Sequence, residues 1–170
     1  LNGIYITANA YYQTVDHFMD KLKEERNTTK TMPMNTAVKE TGYNLKLTIP
    51  CDSIHTLKVG TDYDQYRLND WWPPVNGTTM GPNTFVNIND GKRDRFGIFA
   101  EDIAQWSPKL STNFGIRTDI IKMDTGQVDG YSSTNYPTDE IKFNALSHDK
   151  TFHNYDLTAI TKYELDSKND

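Results

Sequence analysis

The sequence predicts an all-β fold made of the antiparallel strands of an outer-membrane β-barrel, with about six strands. Two observations lead to this prediction. Apolar and polar residues alternate along most of the chain, which is the period of a strand whose two faces meet different surroundings. Short and long connections also alternate between the predicted strands. Outer-membrane barrels have this pattern, because their periplasmic turns are short and their extracellular loops are long.

Six segments show the alternation of a two-faced strand. Several of them approach the ~10 residues that a tilted strand needs to cross a membrane, whereas strands of soluble sheets have about 5 or 6. The apolar faces of the six segments are, in chain order, Ile4, Ile6, Ala8, Ala10 and Tyr12; Tyr43, Leu45, Leu47 and Ile49; Leu57, Val59 and Tyr63; Phe96, Ile98, Ala100, Ala104 and Trp106; Phe114, Ile116 and Ile120; and Tyr155, Leu157, Ala159, Tyr163 and Leu165.

The connections between these segments form two classes. Two short turns are predicted, around residues 50–53 and 107–110. Most of the Pro, Asn, Asp and Gly residues lie in three long connections, at residues 20–36, 69–92 and 125–150. Within the second of these, residues 87–91 lack the ligand spacing of an EF-hand and are predicted to form a turn. The alternation of lengths indicates three hairpins with their short turns at one end.

The alternation alone leaves a second fold open, namely a soluble all-β ligand-binding module with an internal core. The two folds differ in where the apolar side chains lie. A membrane barrel requires an outward belt of apolar residues at similar height, whereas a soluble module buries the same residues in a closed interior. The residues that discriminate between them are Ile4, Ile6, Leu45, Leu47, Ile98, Ile116 and Leu157.

The composition excludes several classes of protein. Lys and Arg number 18 against 23 Asp and Glu, which gives a net charge of -5 and argues against nucleic acid as a partner. Cys51 is the single cysteine, so no disulfide can form within the chain. The chain begins at Leu1 without an export signal and ends in a polar run. We therefore expect a partial domain whose signal lies upstream.

Short motifs in the second half of the chain carry a resemblance to a known family. The run from Arg93 to Asp102, then Trp106-Ser107-Pro108 and the run from Phe114 to Asp119, resemble barrel hairpins of TonB-dependent receptors. In that family a strand of the form G-x-F-x-E/Q turns into one of the form L-G-x-R-x-D. Phe143-Asn144-Ala145 and residues 154–164 look like the next strand, and residues 11–34 and 68–89 are similar to the copper-receptor branch.

The resemblance implies that residues 1–170 are part of a TonB-dependent receptor β-barrel domain, without its plug and remaining strands. It implies a transporter and not an enzyme, located in the outer membrane of a Gram-negative bacterium and in contact with its lipid. The parent receptor would take up a scarce solute, with copper as the candidate. The TonB energy-coupling complex would act through the missing plug. No cofactor is required, since copper would be the transported ligand, bound as the metal or as a metal chelate.

One motif of the first strand suggests a metal site. His17 and Met19 stand two residues apart and therefore share a face of an extended strand, the polar face of Asn9, Tyr11 and Gln13. An imidazole nitrogen and a thioether sulfur could share one soft ion such as cuprous copper. The resemblance implies the same use, with further soft ligands supplied by the missing plug. Met32 and Met34 in the following loop could serve as accessory thioether ligands, or else as loop or partner-contact residues. Ordinary packing or loop surface is the alternative for the pair of His17 and Met19.

Two further motifs carry hypotheses about contacts and catalysis. Trp71 and Trp72 precede two prolines and are predicted to anchor the strand at the membrane interface or to form a ligand rim. Asp124-Thr125-Gly126 matches the catalytic tripeptide of an aspartic protease, which would need a second copy from a homodimer. The simpler interpretation of this tripeptide is a strand end that turns at Gly126. No other enzyme motif is present.

Overall fold

In a computed structural model, the chain forms one antiparallel sheet of six strands that follow one another in sequence order. The structure describes residues 3–19, 33–74, 84–130 and 137–165. The predicted all-β fold with six strands is confirmed. The elements are β1 (Tyr5–Met19), β2 (Met34–Pro50), β3 (His55–Trp72), β4 (Phe85–Ser107), β5 (Leu110–Asp124), α1 (Pro137–Asn144) and β6 (Lys150–Tyr163).

The strands are long for a sheet of this size. The shortest, β6, has 14 residues and the longest, β4, has 23. Since a tilted strand crosses the apolar part of a membrane in about 9–11 residues, each strand is long enough to span it and to extend beyond it. The sheet is open, because no pairing joins β1 to β6 in the described part of the chain.

The apolar side chains lie in continuous rows on one surface, which we call the apolar face. The clearest row crosses all six strands through cross-strand partners: Ile6, Leu47, Val59, Ala100, Ile116 and Leu157. Its end members, Ile6 and Leu157, are 68% and 81% exposed. Apart from proline and glycine, the only buried apolar residues in the described part of the chain are Phe85 and Ala104. The predicted outward belt is therefore present, and the internal core of a soluble module is not formed by these residues.

Both predicted short turns are confirmed at one end of the sheet. Between β2 and β3, one carboxylate oxygen of Asp52 accepts hydrogen bonds of 2.7 Å from the backbone N–H groups of Ile54 and His55. The N–H of His55 and that of Ile54 lower the pKa of Asp52, because they stabilise its charged form. Between β4 and β5, the Ser107 hydroxyl accepts from the N–H of Leu110 at 3.2 Å. Side-chain acceptors thus fix both tight turns.

The second long connection is shorter than predicted, because β3 continues to Trp72 and β4 begins at Phe85. The predicted turn at residues 87–91 is wrong, since these residues lie inside β4. They form a bulge there: Leu68 pairs with Gly91 and Asp70 with Ile88, so two residues of β4 oppose one of β3. Asp90 has a φ of 49° and donates its N–H to the Asn69 side chain at 2.8 Å. Asn, Asp and Gly suit a bulge as well as a turn, which explains the error.

The third long connection contains helix α1, which the sequence analysis did not predict. Phe143 and Asn144 were predicted to belong to a strand and instead end this helix. Pro137 occupies the first turn with Asp139 and Glu140, a distribution that suits the N-terminal end of a helix. No described helix has the length and apolar character needed to cross a bilayer.

Candidate functional site

The surface opposite the apolar face carries most of the charged side chains of the sheet, and we call it the polar face. It forms because each strand presents alternate residues to its two sides. Three arginines and three aspartates of the central strands meet on it. These residues are Asp62 and Asp64 of β3, Arg93 and Arg95 of β4, and Arg117 and Asp119 of β5.

Arg117 is the centre of this charge cluster. Its Nη1 and Nη2 atoms donate to the two carboxylate oxygens of Asp62 at 2.8 and 2.9 Å, and its Nε donates to Asp119 at 2.8 Å. Arg95 lies 3.1 Å from Asp62 and 3.7 Å from Asp119. The side chains of Asp62 and Asp119 are only 16% and 7% exposed. The two carboxylates are therefore largely removed from water and depend on these arginines for compensation.

Asp64 forms the second part of the cluster. Its side chain is 4% exposed, accepts a hydrogen bond of 2.8 Å from the Tyr11 hydroxyl and lies 3.3 Å from Arg93. Glycines make room for the larger groups. A Cβ atom at Gly97 would overlap the Arg117 guanidinium, and one at Gly42 would overlap the Tyr11 ring. The polar face is thus a packed layer of side chains and not only a hydrated surface.

The predicted metal ligands His17 and Met19 lie at the end of β1, on the polar face as expected from their spacing. Both side chains are exposed. The register adds Met34, which is the cross-strand partner of Met19, and places Thr36 opposite His17. Direct cross-strand partners have Cβ atoms about 4.5–5.5 Å apart. The structure therefore brings Met34 to the His17 and Met19 pair, whereas Met32 lies outside the described residues.

A buried carboxylate lies on the same face two strands from His17. Thr36 pairs with His17 on one side and with Asp70 on the other. Asp70 is 8% exposed and accepts hydrogen bonds of 2.7 Å from the Thr36 hydroxyl and the Asn87 amide. Within the described ranges no cationic side chain pairs with Asp70, and no group of three His, Cys, Asp or Glu residues forms a metal site.

The two tryptophans that were predicted to anchor the strand or to form a ligand rim lie on opposite faces of the sheet. Trp71 and Trp72 are the last residues of β3, and both are half-buried. Trp71 pairs with Asn35 and Val86 on the side of the apolar face, and Trp72 pairs with Phe85. Strand alternation directs Trp72 to the polar face. The position of Trp71 suits an anchor at the membrane interface, and the position of Trp72 suits a ligand rim.

The candidate catalytic residue of the alternative aspartic protease lies beside a lysine. Asp124 ends β5, and the Lys92 amine lies 3.8 Å from its carboxylate and 2.7 Å from that of Asp90. Cys51 is exposed in the turn between β2 and β3.

Sequence analysis missed a groove of about 880 Å³ between the polar face and the third long connection. Its apolar wall comes from β3, β4, β5 and β6 and from helix α1. Spacing could not reveal it, because its walls come from residues far apart in the chain. Its apolar lining residues include Tyr66, Leu68, Ile88, Met123, Phe143 and Phe152, and Arg93, His148 and Lys150 are among its polar residues.

Comparison with known proteins identifies the family of this sheet. Searches of curated proteins and of solved structures gave no match. A family model described as TonB dependent receptor-like, beta-barrel matches residues 2–160, which is most of the chain. That family consists of outer-membrane transporters of Gram-negative bacteria and not of enzymes. The chain therefore belongs to the TonB-dependent receptor β-barrel family.

Proposed function

We propose that this chain forms part of the wall of a receptor that takes up a scarce solute across the outer membrane of a Gram-negative bacterium. The observation that carries the proposal is the row from Ile6 to Leu157, six apolar residues in register on a sheet whose other surface is charged. Such a sheet meets lipid on one side and a polar lumen on the other. The TonB complex would supply energy through a plug.

The open sheet is consistent with a partial barrel domain. Large outer-membrane transporters have about 22 strands, and six strands are too few to enclose a lumen of that size. The unpaired edges of β1 and β6 would continue into neighbouring strands of the complete barrel. Closure of the barrel would also pair the backbone N–H and C=O groups of these edges, because the apolar interior of a membrane offers them no other hydrogen-bond partners.

We further propose that the solute is copper, held during passage by His17, Met19 and Met34. The pairing of Met19 with Met34 supports this, since flexible thioether side chains on adjacent strands can reach one ion. Sulfur and imidazole donors favour cuprous copper over calcium or magnesium. The negative charge of Asp70, which has no cationic partner among the described residues, would attract a cation to this end of the face.

Cuprous-ion titration of the intact protein in detergent, under reducing conditions and against a chromophoric competitor, tests the copper site. We expect the His17→Ala, Met19→Ala double variant to lose binding and Met34→Leu to weaken it by about tenfold or more. His153→Ala and Met123→Leu are matched controls, because they remove the same residue types from β6 and β5.

Equal binding by all variants would place the copper elsewhere and contradict the assignment of these ligands. Absence of binding by the unaltered protein would remove copper as the solute. Neither result would affect the membership in the receptor family, which rests on the match over residues 2–160.

A further inference from the structure

The groove beside α1 has the size and the lining of a small-molecule site. Ligand pockets have volumes of roughly 300–1,000 Å³ and are mainly apolar with a few polar groups, and this groove has about 880 Å³. Leu68, Met123, Phe143 and Phe152 supply apolar surface from three strands and from the helix. Met123 and Phe152 are 42% and 49% exposed, so they have apolar surface left to cover.

The wall formed by the third long connection is held in place by several hydrogen bonds. The Asn144 amide accepts from the N–H of Val128 at 2.8 Å and donates to its carbonyl at 2.9 Å. The Glu140 carboxylate accepts from the N–H of Gly130 at 3.0 Å. Asp129 exchanges two backbone hydrogen bonds of 2.9 Å with Val86 of β4. A wall that is already ordered loses little entropy when a ligand binds.

His148 fixes the position of the Phe143 ring, which lines the groove. Its two ring nitrogens lie 2.9 Å from the Thr125 carbonyl oxygen and 2.7 Å from that of Phe143. The rings of His148 and Phe143 stack with centroids 4.4 Å apart and planes 20° apart. The Phe143 ring is therefore positioned by the connection before any ligand is present.

The charges around the groove favour an anion. Asp124 is paired with Lys92. The groove is lined by three cationic residues, Lys92, Arg93 and Lys150, and by two carboxylates, Glu40 and Asp124. Lys150 is exposed and has no ion-pair partner in the part of the chain that the structure describes. One cationic group of the groove is thus left uncompensated.

We propose that this groove binds a small organic anion whose apolar, ring-sized body lies against Phe143, Phe152 and Met123 and whose acidic group pairs with Lys150. The inference rests on the receptor function proposed above and names a ligand class for it. It does not depend on the copper site, because His17 and Met19 do not line the groove.

Binding of 1-naphthoate to the intact protein in detergent, without added copper, tests the proposal. The neutral alcohol 1-naphthalenemethanol has the same ring system and no charge, and saturation-transfer NMR can follow both compounds. We expect naphthoate to bind more tightly than the alcohol and Lys150→Gln to weaken naphthoate binding by about fivefold. We expect Phe152→Ala to weaken both compounds.

Lys122→Gln is the matched control, since Lys122 is exposed on β5 and its cross-strand partner is Thr151, next to Lys150 but on the apolar face. This variant should bind naphthoate as the unaltered protein does. Equal affinity for the acid and the alcohol, an equal loss in Lys122→Gln, or no binding by the unaltered protein would each overturn the proposal. Energy-dependent uptake of copper by the same protein would remain measurable, so the two failures are distinguishable.

Discussion

Arg117 is the residue on which the charge cluster of the polar face most depends. It makes hydrogen bonds to both Asp62 and Asp119, which come from different strands. Removal of one partner from a buried ion pair costs about 3–5 kcal/mol, and because Arg95 remains 3.1 Å from Asp62 we place the loss here at the lower limit, about 3 kcal/mol. We expect Arg117→Met to destabilise the protein by roughly this amount, measured as the shift of the urea midpoint in detergent.

Lys46→Met provides the control for this variant. Lys46 lies on the polar face of β2, and no ion pair of Lys46 occurs within the described ranges. Its loss should change stability by less than about 1 kcal/mol, as for most surface substitutions. Equal stability of Arg117→Met and Lys46→Met would show that Asp62 and Asp119 are solvated well enough to need no partner.

At the residue scale, the sequence predicted correctly which face of the sheet a residue occupies, but not which residues of other strands it contacts. The spacing of His17 and Met19 placed both on the polar face, because strand alternation is a local property. Met34 was predicted as an accessory ligand only from its place in the following loop, and its pairing with Met19 depends on the register between two strands. The contact between Asp62 and Arg117 spans 55 positions of the chain, so no local pattern could indicate it.

At the element scale the strands were predictable, since alternation of apolar and polar residues continues over each of them. Helix α1 was not predictable, because its eight residues have no apolar stripe and its position depends on side chains such as Asn144 that bind distant backbone. Residues 87–91, which form the bulge in β4, were predicted to form a turn for a related reason. The preferences of Asn, Asp and Gly are the same in both settings.

The lipid contact of a strand can be tested on β6. Leu157 is 81% exposed on the apolar face, and Thr158 follows it on the polar face. An arginine at the lipid-facing midplane of a barrel costs about 2–4 kcal/mol, whereas a polar lumen accepts the same side chain. We expect Leu157→Arg to reduce stability in lipid vesicles by this amount and Thr158→Arg to have a much smaller effect.

Folding yield and urea midpoint in vesicles measure both variants under the same conditions. If Thr158→Arg were the more harmful of the two, the assignment of the faces would be reversed. If both were harmless, β6 would not face lipid, and the apolar row would cover another protein surface instead.

At the scale of the whole molecule, the two ends of the sheet differ, and this difference predicts its orientation across the membrane. The tight turns at residues 51–54 and 108–109 lie at one end, and the connection that contains α1 lies at the other. In outer-membrane barrels short turns face the periplasm and long loops face the exterior. The groove beside α1 would therefore open towards the outside, where a ligand arrives, and the Asp52 turn would lie in the periplasm.

The single cysteine of the chain allows this direction to be measured without adding a label site. Cys51 is exposed in the turn between β2 and β3. We expect a maleimide that cannot cross the outer membrane to leave Cys51 unmodified in intact cells and to modify it after the membrane is permeabilised. In a Cys51→Ser protein, Ser147→Cys on the connection beside α1 should react in intact cells. Labelling of Cys51 before permeabilisation would invert the orientation, and with it the side from which the groove could be filled.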